Sequence, residues 1–270
     1  MSFSGFWRGL WLALCCLAAA ACHSDSAVPP TSAAHPRPIR IVALGDSTTE
    51  AWEGNAERVY PERLAVALKA HGFQVEVINA GLSDTTSAQA VARLDADVRR
   101  FDPDYVIVQF GINDSWIDAN EGRTEPRLTL DQYTANLEAI VSALRSDGAT
   151  PILMTPNPMR WSEQYGAELR DPALGFDFAD PRGINRLLDR YAERVREIAQ
   201  RENVLLLDVA ARFEAYGRIP GRRVDDLLIE NDGIHPNDAG HARIAEWLTE
   251  MFIAELAADR APAPAPVARP

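Results

Sequence analysis

Four short polar segments hold the groups that could do chemistry: Gly45-Asp46-Ser47-Thr48, Asn79-Ala80-Gly81, Gly111-Ile112-Asn113-Asp114 and Asp232-Gly233-Ile234-His235-Pro236. A serine hydroxyl is a weak nucleophile until a base takes its proton, and histidine titrates in the range where that transfer works. The histidine in turn needs a carboxylate that fixes its tautomer and stabilises the imidazolium. Asp232 and His235 are three residues apart, close enough for a single turn to join them. The tetrahedral intermediate of acyl transfer also develops an oxyanion, and losing one donor to it costs roughly 2.7–4 kcal/mol in a well-studied case. The backbone N–H groups of Ser47 and Gly81 and the side-chain amide of Asn113 are suitable donors. Glycine at 81 would also let a substrate come close to the backbone.

These segments need elements that bring them to one place. Five apolar runs, 39–44, 74–79, 105–110, 151–155 and 204–208, are rich in β-branched residues and lack strict alternation. That pattern suits buried strands of a parallel sheet covered on both faces. Helical patterns lie between and after them, over 61–70, 88–100, 130–145, 184–201 and 238–258. Pro61 and Gly72 mark the two ends of the first. Ser87 is read as the N-cap of the second, and Thr129 with Gln132 as a capping box on the third. Strand and helix alternate, so the fold class is α/β with right-handed crossovers and one sheet. Three polar segments directly follow strands, and in such sheets sites form at the carboxyl edge. The stretch 156–183 breaks the rhythm; Trp161, Tyr165, Phe176 and Phe178 mark it as an ordered insertion with a possible lid role.

With these residues in place, the chain resembles the SGNH hydrolases, also called GDSL esterases/lipases, from Gly45 to His235. Gly45-Asp46-Ser47 matches the first block, with Thr48 where leucine or asparagine is commoner. Gly81 matches the glycine block, Gly111 to Asp114 the Gly-x-Asn-Asp block, and Asp232 to His235 the Asp-x-x-His block. The resemblance implies a three-layer, flavodoxin-like sandwich around a five-stranded parallel sheet. It implies Ser47 as nucleophile, His235 as base and Asp232 as its orienter, with Ser47, Gly81 and Asn113 forming the oxyanion hole. No cofactor or metal is implied. The Gly-x-Ser-x-Gly of α/β-hydrolases and the His-Glu-x-x-His of metalloproteases are absent from the sequence.

Other residues have competing readings. Trp52, Trp116, Arg160 and Trp161 are candidates for substrate contact, weighed against ordinary packing of large aromatics. Asp46 is read as bonding within its own turn, Asp114 as bracing the Asn113 loop, Asp208 as a turn cap and His241 as structural.

The chain has 270 residues, 47% hydrophobic, with 27 basic and 39 acidic side chains and a formal charge of −12. That balance argues against a nucleic-acid partner or electrostatic docking on anionic lipid. All three cysteines, Cys15, Cys16 and Cys22, fall in the first 22 residues, so the rest of the chain offers no disulfide and no thiolate. Residues 1–21 read as a signal peptide: Arg8, an uncharged run over 10–21, and Ala19-Ala20-Ala21 before Cys22. The arrangement resembles a bacterial lipoprotein box, which implies a lipid anchor through Cys22; plain secretion is the alternative. Residues 22–37 read as a tether and 261–270 as a disordered tail, leaving 38–260 as the hydrolase domain.

The lead expectation is an exported cell-envelope enzyme that removes short acyl groups, such as acetyl, from a small-molecule or polysaccharide ester. A lipase, lysophospholipase or thioesterase is the second reading. A non-catalytic envelope binding module is a third.

Overall fold

The computed structural model describes residues 37–50, 58–162, 169 and 171–260. The leader, the tether with Cys22 up to residue 36, Trp52, Tyr165 and the tail lie outside the described residues.

Five strands form one all-parallel sheet: β1 Ile39–Gly45, β2 Val75–Gly81, β3 Tyr105–Gln109, β4 Thr150–Met154 and β5 Leu205–Leu207, in the order β2-β1-β3-β4-β5. Successive residues of a strand face opposite sides. Ile41 and Ala43 accordingly enter one core, and Val42 and Leu44 the other. The first core packs beneath the helices α2 Tyr60–Ala70, α8 Val209–Gly217 and α9 Asp238–Arg260. The second lies beneath α3 Ser87–Ala92, α4 Leu94–Asp97, α6 Leu130–Ser146 and α7 Leu188–Glu202. The result is the three-layer α/β sandwich expected from the sequence, because both faces of every central strand are apolar and each needs its own helical cover.

Two one-turn helices, α1 Ser47–Glu50 and α5 Ile112–Ser115, follow β1 and β3. They are too short to leave a periodic signature, and the sequence reading missed them. Residues 209–217, forming α8, were missed as well.

The segment 88–100, expected as one helix, is broken at Arg93 and Val98 into α3, α4 and a 3-10 turn at Arg99–Phe101. Arg93 donates to Ala80 O and Gly45 O, both at 2.8 Å, clamping the ends of β1 and β2. The N-cap is Thr86 rather than Ser87: the Gln89 side chain accepts from the Thr86 N–H at 2.8 Å, while the Ser87 hydroxyl is held by Asp114. The capping box of α6 forms as read, with Gln132 N–H to Thr129 Oγ1 at 3.2 Å and Thr129 N–H to Gln132 Oε1 at 2.9 Å.

The register aligns the strand ends. Gly45 pairs with Gly81 and with Gln109, and Gln109 pairs with Met154, which pairs with Leu207. The chain moves from β1 outward to β2, then crosses back over β1 to β3, so the connection direction reverses between β1 and β3. In open α/β sheets that switch point is where loops part and leave a crevice.

Candidate active site

Ser47 opens α1 just after β1, and Asn113 lies in α5 just after β3. The loop before α9 carries Asp232 and His235 to the same crevice. Ser47 Oγ is 2.8 Å from His235 Nε2, and His235 Nδ1 is 2.5 Å from Asp232 Oδ2. The other oxygen of Asp232 accepts from the N–H groups of Ile234 at 2.6 Å and His235 at 3.1 Å. All three side chains are buried, with Ser47 and His235 each 7% exposed and Asp232 3%. The carboxylate thus shapes the turn that carries its own histidine, which is why the pair can be so close in sequence. A carboxylate on Nδ1 leaves Nε2 as the acceptor facing the serine hydroxyl, the tautomer that general-base catalysis needs.

The segment leaving β4 backs this loop. Asn157 Nδ2 donates to Ile234 O at 2.8 Å, and the Arg160 N–H donates to Gly233 O at 2.7 Å. Asn185 holds the backbone of Met159 from both sides, accepting its N–H at 2.7 Å and donating to its carbonyl at 2.8 Å. Described residues of the 156–183 insertion, Met159, Leu169 and Leu174 among them, join Ile112, Ile117 and Ile234 in a third apolar cluster. This stretch therefore buttresses the loop that carries Asp232 and His235.

A cavity of about 320 Å³ opens at Ser47 and His235, lined also by Asn113, Asp84, Ile112 and Ile234. Trp116, Asp118, Asn120 and Arg127 complete its described lining. Trp116 is thus brought to the site. Arg160 and Trp161 are not: they border a neighbouring depression with Arg223 and Asn237. Trp161 packs on Phe178 with ring centroids 4.4 Å apart and donates its indole N–H to Asp180 O at 2.9 Å. Arg160 pairs with Glu214 at 3.3 Å. Trp161 is held by the insertion's own packing and Arg160 by α8, partners that their neighbours in sequence did not reveal.

Gly81 is not part of the cavity lining either. Its N–H already donates to Asn79 Oδ1 at 2.9 Å. The close approach that glycine permits is made by α1 instead, since a Cβ on Gly81 would lie 2.3 Å from the Glu50 nitrogen. The residue that reaches the cavity from this loop is Asp84, whose φ of 57° places it in the left-handed region. A non-glycine residue held there is uncommon, and Asp is among the few types that tolerate it. Its N–H makes no hydrogen bond among the described residues. Sequence reasoning passed over Asp84 because it sought a glycine; the available signal was a left-handed-tolerant residue in the Ser83-Asp84-Thr85 turn before a helix.

Two buried carboxyls neighbour site residues in the chain, Asp46 before Ser47 and Asp114 after Asn113. Burial pushes the Asp46 carboxyl up from its ordinary value, opposed by the Thr48 N–H at 2.9 Å and the Thr48 hydroxyl at 2.8 Å. Burial likewise pushes Asp114 up to about 6, opposed by the Ser87 hydroxyl and N–H at 2.5 and 2.9 Å. Asp114 thereby ties α5 to the start of α3. His241, buried in α9, accepts from the Tyr60 N–H at 3.3 Å and is held by desolvation at about 4. Asp208 caps α8 by accepting from Ala211 N–H at 3.0 Å.

Residues 43–243 match the GDSL-like Lipase/Acylhydrolase family. The chain is similar to an acetylxylan esterase of Geobacillus stearothermophilus, 29% identical over 204 residues that cover 75% of this chain and 79% of that protein. It is similar to an uncharacterised lipoprotein, YqeF, of Bacillus subtilis, at 28% identity over 73% of this chain and 80% of the relative. Among solved structures, Axe2, an acetylxylan esterase from Geobacillus stearothermophilus, superposes with a TM-score of 0.59 at 26% identity, covering 82% of this chain and 94% of that one.

Proposed function

The chain belongs to the GDSL-like lipase/acylhydrolase family and is an ester-cleaving hydrolase, and from that premise we propose that Ser47, His235 and Asp232 remove short acyl groups, acetyl above all, from carbohydrate esters. The observation that carries the reading is the Ser47–His235–Asp232 relay at 2.8 and 2.5 Å opening into a small cavity.

In this mechanism His235 Nε2 takes the Ser47 hydroxyl proton as Oγ attacks the ester carbonyl. Asp232 stabilises the resulting imidazolium through Nδ1–H. The carbonyl oxygen becomes an oxyanion that receives hydrogen bonds from the N–H groups of Ser47 and Asp84 and from Asn113 Nδ2. Ser47 begins α1, so its N–H has no acceptor within the helix. Asn113 Nδ2 gives one hydrogen to Thr85 O at 3.1 Å and keeps a second for the oxyanion. Collapse expels the sugar alkoxide, which takes the proton from His235. Water, deprotonated by His235, then attacks the acyl-enzyme, and the acid leaves as Ser47 recovers its proton.

Size and charge support the short-acyl, neutral substrate. A cavity of about 320 Å³ suits a small acyl group and one sugar ring better than a long chain, which needs an extended apolar groove. Trp116 and Asn120 offer a stacking face and an amide, the groups a pyranose uses. Arg127 is already matched by Asp118 at 2.8 Å and Asp84 at 2.6 Å, an unfavourable setting for an anionic lipid headgroup. The signal-peptide pattern of residues 1–21 and the lipoprotein relative support placing the enzyme in the cell envelope, anchored through Cys22. The test is a p-nitrophenyl ester series from acetyl to decanoyl. kcat/KM should be highest at acetyl and propionyl and fall to background in Ser47→Ala. A maximum at octanoyl or beyond would replace carbohydrate with lipid as the substrate class, and full activity in Ser47→Ala would overturn the mechanism.

A further inference from the structure

Arg127 lies fourteen residues after Asn113 in sequence, yet its guanidinium closes a ring around the oxyanion side of the cavity. Nε donates to the two oxygens of Asp118 at 3.2 and 3.0 Å, and Nη2 donates to Oδ1 of the same carboxylate at 2.8 Å. Nη1 donates to Asp84 Oδ1 at 2.6 Å and lies 3.4 Å from Asn113 Oδ1. Asn113 Nδ2 donates to Thr85 O at 3.1 Å, and Thr85 is bonded through its peptide to Asp84. The path Asn113–Thr85–Asp84–Arg127–Asn113 is therefore closed.

The types of the groups fix the direction of this ring. A guanidinium only donates and a carbonyl only accepts. If the Asn113 amide turned over, its NH2 would face Arg127 and its oxygen would face the Thr85 carbonyl, donor against donor and acceptor against acceptor. The amide is thus locked with Nδ2 toward the Thr85 side. The same guanidinium holds the side chain of Asp84, a non-glycine residue at φ 57° beside the cavity. The backbone supports the arrangement too: the Arg127 N–H donates to Trp116 O at 2.8 Å and the Leu128 N–H to Asp114 O at 3.0 Å, so the Arg127 loop is laced to the α5 segment.

We propose that Arg127 is the positioning residue of the oxyanion pocket, a single cation that aims two of its donors, the Asn113 amide and the Asp84 N–H, while Asp118 holds the guanidinium itself in place. The proposal rests on the assignment of Asn113 and Asp84 as oxyanion donors. It makes the pocket's accuracy depend on a residue that contributes no hydrogen bond to the reacting atoms. A misaimed donor loses much of its value, since electrostatic catalysis requires donors preset toward the charge that develops.

The experiment is steady-state hydrolysis of p-nitrophenyl acetate by the full chain and four variants. Asn113→Ala deletes one donor and should lower kcat about 100-fold or more. Arg127→Ala should lower kcat roughly tenfold to 100-fold with KM changed less than about threefold, and added guanidinium ion should restore part of the loss. Arg127→Lys should retain more activity than Arg127→Ala but less than the parent, since an ammonium cannot bridge both carboxylates in one plane. Asp84→Gly keeps the left-handed backbone and its N–H but frees the ring, and should lower kcat severalfold. Undiminished kcat in Asn113→Ala would remove the oxyanion assignment itself. A fall in Asn113→Ala with kcat unchanged in Arg127→Ala would leave that assignment standing and overturn the positioning role. A large rise in KM at constant kcat would make Arg127 a substrate contact instead, which also overturns it. If Arg127→Ala does not fold, Arg127→Lys and Asp84→Gly decide, and parental kcat in both ends the proposal.

Discussion

The two sides of the cavity are built differently. On the relay side, Asp232 and His235 are 3% and 7% exposed, on a loop held by Asn157 and by the backbone of Arg160. Across from it, the Asp84 carboxylate is 76% exposed, and its corner is joined by an ion-pair ring rather than by apolar packing. The difference follows the work each side does. In the proposed mechanism a proton moves between Ser47 and His235, and a buried, low-dielectric setting strengthens every charge interaction in that relay. The proposed oxyanion corner would move no proton; its donors would need only a fixed direction, and charged side chains can supply that at the rim of an open cleft. Exposed ion pairs add little to stability, so a ring at this place is better understood as a means of orientation than as a brace for the fold.

The contrast can be broken most sharply at Asp232. Asp232→Asn keeps the volume and the acceptor for the Ile234 and His235 N–H groups, yet places an amide where Nδ1–H needs a carboxylate. Loss of about 10⁴-fold in kcat with an unchanged melting temperature is the expected outcome. A loss of only tenfold, measured with p-nitrophenyl acetate, would mean that the relay side is no more demanding than the oxyanion corner.

The next largest effect is at Gly233, whose φ is 72° and whose added Cβ would lie 2.4 Å from Arg160 O. Gly233→Ala should destabilise the protein by about 1–3 kcal/mol and lower kcat at the same time, because residues 156–162 form a strap that touches the loop of Asp232 and His235 here. Urea denaturation together with kinetics checks both. Parental kcat with reduced stability would show that the strap supports the fold without setting the relay.

The remaining effect concerns pH and acts on stability alone. Asp114 is raised from 3.8 to about 6, so the native state holds its proton across a window where the unfolded chain has released it. Stability contributed by the protonated carboxyl is complete below about pH 4 and declines as pH rises through about 6. Relative to the parent, Asp114→Asn should therefore gain up to about 3 kcal/mol between pH 4 and pH 7 in urea denaturation. His241 has the opposite sign. Its folded value is lowered from 6.5 to about 4, so its contribution is complete above about pH 6.5 and is lost as pH falls toward 4. A flat difference between the parent and Asp114→Asn would mean that Asp114 takes no part in linking folding to pH.

Much of this was legible in the chain. Each of the five apolar runs contains or overlaps a strand, and the capping box of Thr129 and Gln132 marked the start of α6. Ser47, Asn113, Asp232 and His235, singled out by type and spacing, do come together around one cavity, the Asp232 carboxylate bonding both the turn that carries His235 and its ring. Local hydrogen bonding and two-sided hydrophobicity are properties of a segment, and a segment carries them in its sequence.

Tertiary structure decided what depends on approach from elsewhere. Gly81 carried the right residue type for close approach, but the partner that arrives is the backbone of α1, and its N–H goes to Asn79. Asp84 reaches the cavity because the loop after β2 turns through a left-handed conformation there. Trp161 had the right side chain beside the right loop, yet it packs on Phe178 rather than facing Ser47. Arg127 meets Asp84 across 43 residues of chain and Asp118 across nine. The physical reason is common to all four. The sequence states which hydrogen bonds and contacts a residue is able to make, and the packing of distant segments determines which of them are satisfied before a substrate arrives.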